Sequence, residues 1–151
     1  MNYLKQFWIT FKDCIHKFST TEEQGILAVD ETVARYLLHR NLYNSEKNIV
    51  RSTAFLPRDK QLEISVFRIY SLNENEIWNI GEKEVARPSR RKLRGRANIL
   101  VENVCAQELK IVPDSKPNRH ANIVNWPDDK PKRLSIAQEL AKRSSLVLKP
   151  Y

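Results

Sequence analysis

Residues 62–81 read LEISVFRIYSLNENEIWNIG, and they carry a strand and a helix in one short stretch. Leu62, Ile64 and Val66 alternate with Glu63 and Ser65, the two-residue period of a half-buried strand, and Phe67, Arg68 and Ile69 extend it to Tyr70. Ser71 with Glu74 three residues later fits a capping box, in which two side chains satisfy amides that the helix start leaves open. Ile77, Trp78 and Ile80 then give a short apolar helical face, and Gly81 predicts a stop or a break.

Upstream, Ile49–Leu56 reads as a second strand, with a turn at Pro57–Lys60 between the two. Asn41–Asn48 is polar and turn-rich, a loop. Before it, Ile26, Leu27, Val29, Val33, Leu37 and Leu38 recur at helical spacing. They predict a helix from about Glu22 to Arg40, capped by Thr20 with Glu23 and closed by the basic His39 and Arg40. Leu4, Phe7, Trp8, Phe11, Ile15 and Phe18 place an aromatic stripe on a first helix over about 2–18. The stripe either packs on the domain's own core or docks the chain on a larger partner or a lipid surface, with Lys5, Lys12 and Lys17 flanking it.

Downstream, Leu93–Val104 alternates as a strand, and Leu109 and Ile111 form another that stops at Pro113. Residues 114–118 make an exposed turn, and Arg119–Trp126 is extended. A last helix starts near Asp129 or Lys130 with Pro131 at its first position, and Leu134, Ala137, Leu140 and Ala141 mark its buried side. Residues 145–148 suit an edge strand. The order predicts an α+β fold: a mainly antiparallel sheet with flanking helices, preceded by an N-terminal helical pair. Residues 1–45 form the helical segment and 46–151 the α+β domain, together one compact unit.

The chain has 151 residues and is 41% hydrophobic, enough for one domain with a true core. Its formal net charge of +8 favours polyanionic partners. Cys14 and Cys105 lie far apart with no CxxC, which fits a reducing compartment and offers no zinc site. The N-terminus lacks the continuous apolar core of a signal peptide, and no run is long and apolar enough for a membrane span. These features predict a cytoplasmic protein.

The charge concentrates in Val85–Asn98, VARPSRRKLRGRAN, where Arg87, Arg90, Arg91, Lys92, Arg94 and Arg96 have no acidic residue among them. Pro88 predicts that this stretch begins as a loop. Such a cluster suits RNA, DNA or an acidic protein surface, and a plain solvated basic face is the simpler account. Arg119, Lys132 and Arg133, with Lys142 and Arg143, extend the candidate nucleic-acid-binding surface. Trp78 and Trp126 sit in apolar contexts that suit packing better than base stacking.

His120 is the candidate catalytic residue, a general acid or base for a phosphodiester, with Arg68 or Arg96 to stabilise the developing charge. No partner for it is visible in the spacing. Asp128 and Asp129 read as helix caps, and no metal site is predicted. The three glycines, at 25, 81 and 95, support no phosphate-cradling loop, so no cofactor is predicted. Gly95 reads as a turn into the next strand.

Two blocks carry a family resemblance: Leu62–Arg68 with Glu76–Gly81, and His120–Pro127 with Lys130 and the helix at 135–141. Together with Gly95-Arg96-Ala97 they resemble a family of small uncharacterised bacterial proteins, over about residues 49–150. The resemblance implies a domain over that range and no particular chemistry. Proteins of that kind often sit in mobile-element or phage-defence gene sets. The sequence thus predicts a basic nucleic-acid-binding or nucleoprotein-associated accessory module. Two alternatives remain: a small nuclease or transferase toxin using His120, and an interaction subunit docking through Leu4, Phe7, Trp8, Phe11 and Ile15.

Overall fold

The computed structural model describes residues 27–151. The first helix with its aromatic stripe, the Thr20 cap, Cys14 and His16 lie outside the described residues. From Thr32 the chain forms β1 (Thr32–Leu37), then a small hairpin of β2 (Tyr43–Asn44) and β3 (Ile49–Val50), then β4 (Ile64–Arg68). Helix α1 (Glu74–Ile80) runs on through a π-helical segment, Gly81–Ala86, into a last turn, Arg87–Ser89. There follow β5 (Gly95–Leu100), the short helix α2 (Val101–Cys105), β6 (Lys110–Pro113), β7 (His120–Val124), α3 (Lys130–Arg143) and β8 (Ser145–Leu148).

Six strands make one sheet in the order β6-β7-β4-β1-β5-β8, and every neighbouring pair is antiparallel. Alternation sends the side chains to two different cores. On one face Val33, Leu37, Val66, Ile99 and Ile123 pack with Phe55, Val104 and Leu109, and with Ala137, Leu140 and Ala141 of α3. On the other, Ala34, Tyr36, Phe67 and Ile69 meet Ile77, Trp78 and Ala86 of the α1 helical run, and Leu93. The fold is α+β, with a mainly antiparallel sheet and flanking helices.

The helix expected at 22–40 is overturned where it is described: residues 32–37 are β1, paired on both edges. A central strand is buried on both faces, so Val33-Ala34 and Tyr36-Leu37 are apolar neighbours and the two-residue alternation disappears. Residues 32–37 therefore belong to the same sheet as the chain beyond residue 45. The polar loop at 41–48 contains half of the β2–β3 hairpin, and the strand expected over 49–56 shrinks to Ile49–Val50 before a 3-10 turn at Ser52–Ala54.

The cap of α1 lies two residues later than expected: Asn73 accepts from the Glu76 amide, and the Glu76 carboxylate accepts from the Asn73 amide. Gly81 does not end the helix. It keeps helical angles and sits against the Tyr36 ring, where a Cβ would lie 2.6 Å from Tyr36 Cε1 and 2.8 Å from Leu93 Cδ2. The widened turn after it suits Pro88, whose ring would meet the Glu84 carbonyl in a regular α-helix, so the basic stretch begins as helix and not as loop. Gly95 opens β5 beside β8, where a Cβ would lie 2.8 Å from the Val147 carbonyl oxygen; close approach, not turning, accounts for it.

The strand expected over 93–104 stops at Leu100, because Val101, Val104 and Cys105 bury one side of α2 at helical spacing. On α3 the cap is Asp129, one of the two residues expected there, but Leu134 is 42% exposed and Arg133 takes the buried position. Cys105 is buried and is not a free thiol, which removes the support the cysteines lent to a reducing compartment. No helix among the described residues is long and apolar enough to cross a membrane.

Candidate nucleic-acid interface

The basic stretch does not act as one surface. Arg87 lies in the last helical turn, and Arg90 comes after it in the left-handed conformation at φ 54°. Arg87, Arg90, Arg91 and Lys92 are exposed. Leu93 then dives into the core and anchors the entry to β5. The Arg94 amide donates to the Leu37 carbonyl at 2.9 Å, and the Arg94 carbonyl accepts from the Lys149 amide at 3.0 Å. Its backbone is thereby clamped between β1 and the chain beyond β8.

Lys92, Leu93 and Arg94 form one wall of a groove of about 800 Å³, lined also by Arg40, Arg51, Tyr43, Lys149 and Tyr151. Among the described residues the Nε of Arg94 is buried with no hydrogen-bond partner. The Lys92 ammonium lies 4.8 Å from the centre of the Tyr151 ring. Two acids border the groove: Glu82 is paired with Lys149, and Glu46 is exposed. Arg40, Arg51 and Lys149 escaped sequence reasoning. Each is a lone cation in its own segment, and only the docking of the β2–β3 hairpin and of residues 148–151 beside Arg94 gathers them.

The other predicted contacts are engaged elsewhere. Arg96 is 2% exposed. Its Nη2 and Nη1 donate to the two carboxylate oxygens of Glu74 at 2.7 and 3.1 Å, and its Nε donates to Asn98 Oδ1 at 3.0 Å. The guanidinium lies 4.4 Å from the centre of the Trp78 ring. Arg133 donates to Asp59 Oδ1 and to the Pro127 and Asp128 carbonyls, joining the start of α3 to the turn at 59–60. Arg119 donates to the Tyr70 carbonyl at 2.8 Å. Lys132 is exposed, on a depression with Glu108, Asn125 and Trp126, and Lys142 and Arg143 are exposed at the end of α3.

His120 has a partner after all. Its Nδ1 lies 2.7 Å from Asp114 Oδ1, and its ring meets Phe67 edge-on at 5.2 Å. Burial would raise the Asp114 carboxyl, but hydrogen bonds from His120 and from the Lys116 amide outweigh it and hold the group below its usual range. The Asp114 and Ser115 amides both donate to the His120 carbonyl, so the pair also closes the 114–119 loop. Sequence spacing hid this because the loop doubles back through left-handed residues at Ser115 and Arg119.

The arginines expected to serve His120 do not reach it. Arg68 comes directly after Phe67 on β4 and so points to the opposite face of the sheet, where it pairs with Glu31 at 2.7 Å. Arg96 is on β5, three strand spacings or about 14 Å from β7, and is consumed by Glu74. The triad of His120, Arg68 and Arg96 is not assembled. In comparisons with known proteins, no family model, no curated protein and no solved structure matches the chain.

Proposed function

We propose that the domain is a nucleic-acid-binding accessory module whose main contact is the groove around Arg94. The observation that carries this reading is the Arg94 guanidinium, without a carboxylate partner among the described residues, in a groove shared with Arg40, Arg51 and Lys92. No carboxylate among the described residues pairs with this guanidinium, so its charge is left for a phosphate oxygen at the groove. Cations drawn from separate segments suit a row of phosphates better than a single compact anion. Tyr43 and Tyr151 add aromatic faces on which a splayed base can stack, which favours a single strand over a duplex. Exposed Arg87, Arg90 and Arg91 extend the positive surface from the groove's edge. A cytoplasmic setting, and a role in a phage-defence or mobile-element gene set, belong to the same proposal.

The test is a salt titration of binding to single-stranded RNA, duplex RNA and duplex DNA. Four phosphate contacts on a single strand give a slope of log affinity against log salt of about −3. Arg40→Ala, Arg51→Ala and Arg94→Ala should each flatten the slope by about one contact and weaken binding several-fold. A combined variant that binds all three ligands as tightly as the parent chain sinks the proposal.

A further inference from the structure

Arg35 carries a second, separate inference. The pairing of β1 with β4 runs through Val33–Arg68 and Ala34–Phe67 and goes no further. Beyond that point the two strands part, and Arg35, the next residue of β1, occupies the opening. Its Nε donates to the Ala54 carbonyl and its Nη1 to the Ser65 carbonyl, both at 3.1 Å. These bonds fix the plane of the guanidinium but bring no negative charge.

Three other arginines with buried or half-buried side chains meet a carboxylate: Arg68 with Glu31, Arg96 with Glu74, and Arg133 with Asp59. Arg35 has no ion pair among the described residues. Burial and the neighbouring Arg58 charge lower its pKa to about 10, so at neutral pH it stays a cation that its surroundings leave uncompensated. The opening continues into a groove of about 590 Å³, lined also by Arg58, Arg91, His39 and His120. Glu63 and Glu84 lie on its walls, yet neither forms an ion pair with an arginine of the groove.

We propose that this groove binds a phosphoryl group, with Arg35 as its fixed donor and Arg58 and Arg91 closing from its walls. A carboxylate is planar and offers two oxygens. A phosphoryl group offers oxygens in several directions, which suits donors from β1, the turn at 58–61 and the basic stretch. The shared chemistry is the phosphoryl oxyanion, whether it belongs to a free phosphate compound or to a strand held in the Arg94 groove. Arg91 and Lys92 are adjacent, and so are His39 and Arg40; in each pair one residue lines either groove.

The test uses inorganic phosphate and adenosine monophosphate as probes, with chloride at matched ionic strength as control. Binding is read by calorimetry and by the Nε–H resonance of Arg35. We expect saturable binding with a shift of that resonance, and a loss of at least tenfold in affinity in Arg58→Ala. Arg35→Gln should abolish binding; because it also disturbs the contacts to Ala54 and Ser65 inside the fold, the exposed Arg58→Ala is the deciding variant. Arg94→Ala should leave phosphate binding intact while weakening RNA, so the two grooves fail or survive separately. Competition between a short single-stranded RNA and phosphate assigns the site to the strand, and simultaneous binding assigns it to a free phosphoryl compound. The absence of saturable binding, an unmoved Arg35 resonance, or binding lost in Arg94→Ala but kept in Arg58→Ala overturns the proposal.

Discussion

Arg94 and Arg96 stand two residues apart and have opposite fates. Arg96 is enclosed under α1, with a bidentate carboxylate, an amide oxygen and an aromatic face all spent on it. Arg94 lines an open groove, and its buried Nε has no hydrogen-bond partner among the described residues. The first side chain is part of the scaffold, and the second has donor capacity left for a ligand. A run of cations in a sequence therefore says little about where charge is available. What decides it is which acids the fold brings alongside, and the acid that answers Arg96 is Glu74, twenty-two residues earlier in the chain.

The sharpest way to break this comparison is to truncate each arginine in turn. Arg96→Ala removes a buried ion pair, an amide hydrogen bond and the cation over Trp78. Its cost should be about 3 kcal/mol, at the low end for a broken buried pair, because Glu74 is 65% exposed and regains water. RNA affinity, measured at a temperature where the variant is folded, should not change. Arg94→Ala should do the reverse, with stability within about 0.5 kcal/mol of the parent, since it deletes an unsatisfied donor, and RNA affinity down several-fold. Urea denaturation and fluorescence anisotropy on the same two preparations read both quantities. If Arg96→Ala weakened RNA binding as much as Arg94→Ala, the division between scaffold and site would be wrong.

Much of the scaffold side was legible in the sequence, and the site side largely was not. β4, α1, β6, β7, α3 and β8 were readable because each is bounded by turn or capping residues and carries an apolar period of its own. β1 was misread because Val29, Val33 and Leu37 fall at helical spacing, and a strand covered on both faces shows no alternation to contradict them. The α1 cap was placed two residues early because Ser71 with Glu74 and Asn73 with Glu76 fit the same template, and only the second pair bonds. On α3 the stem of Arg133 occupies a core position that composition assigns to Leu134. The Arg94 groove could not be read locally at all, since residues 40, 51, 94 and 149 become neighbours only through tertiary docking. The Asp114–His120 pair was six residues away and still hidden, because its approach depends on backbone geometry at Ser115 and Arg119.

A methyl group sharpens the comparison next. The enclosed side has no spare volume at Gly81, where the Tyr36 ring and Leu93 sit within contact distance of the missing Cβ. Gly81→Ala has to displace an aromatic ring that is buried between β1 and α1, and helix propensity, which favours alanine, recovers only part of the loss. A net destabilisation of about 2 kcal/mol is expected. The same variant leaves every groove cation in place, so RNA affinity of the folded protein should stay within about twofold. A Gly81→Ala variant as stable as the parent would mean that the α1 run can slide on the sheet, and the enclosure of Arg96 would then be looser than its contacts imply.

The smallest effect is a proton on Glu74. The hydrogen bond from Arg96 is the main cause holding this carboxyl below its usual value of 4.5; burial opposes it and the Arg96 charge adds to it. A carboxyl lowered by folding contributes stability that is complete above the unfolded value and is lost as pH falls through the folded one. The contribution should therefore be constant from neutral pH down to about 5 and fade below about 4. Exposure of Glu74 to solvent keeps it under about 1 kcal/mol. Glu74→Gln retains an acceptor oxygen for Arg96 but cannot ionise, so the parent should exceed it slightly in urea midpoint at pH 7, and the two curves should converge as acid protonates Glu74. Arg94 offers the control, since the groove holds no carboxylate paired with it and Arg94→Ala should leave the acid limb of the stability curve unchanged. A gap between parent and Glu74→Gln that stayed constant through the whole acid limb would show that the charge on Glu74 is not what secures Arg96, and that Trp78 and Asn98 hold the guanidinium by themselves.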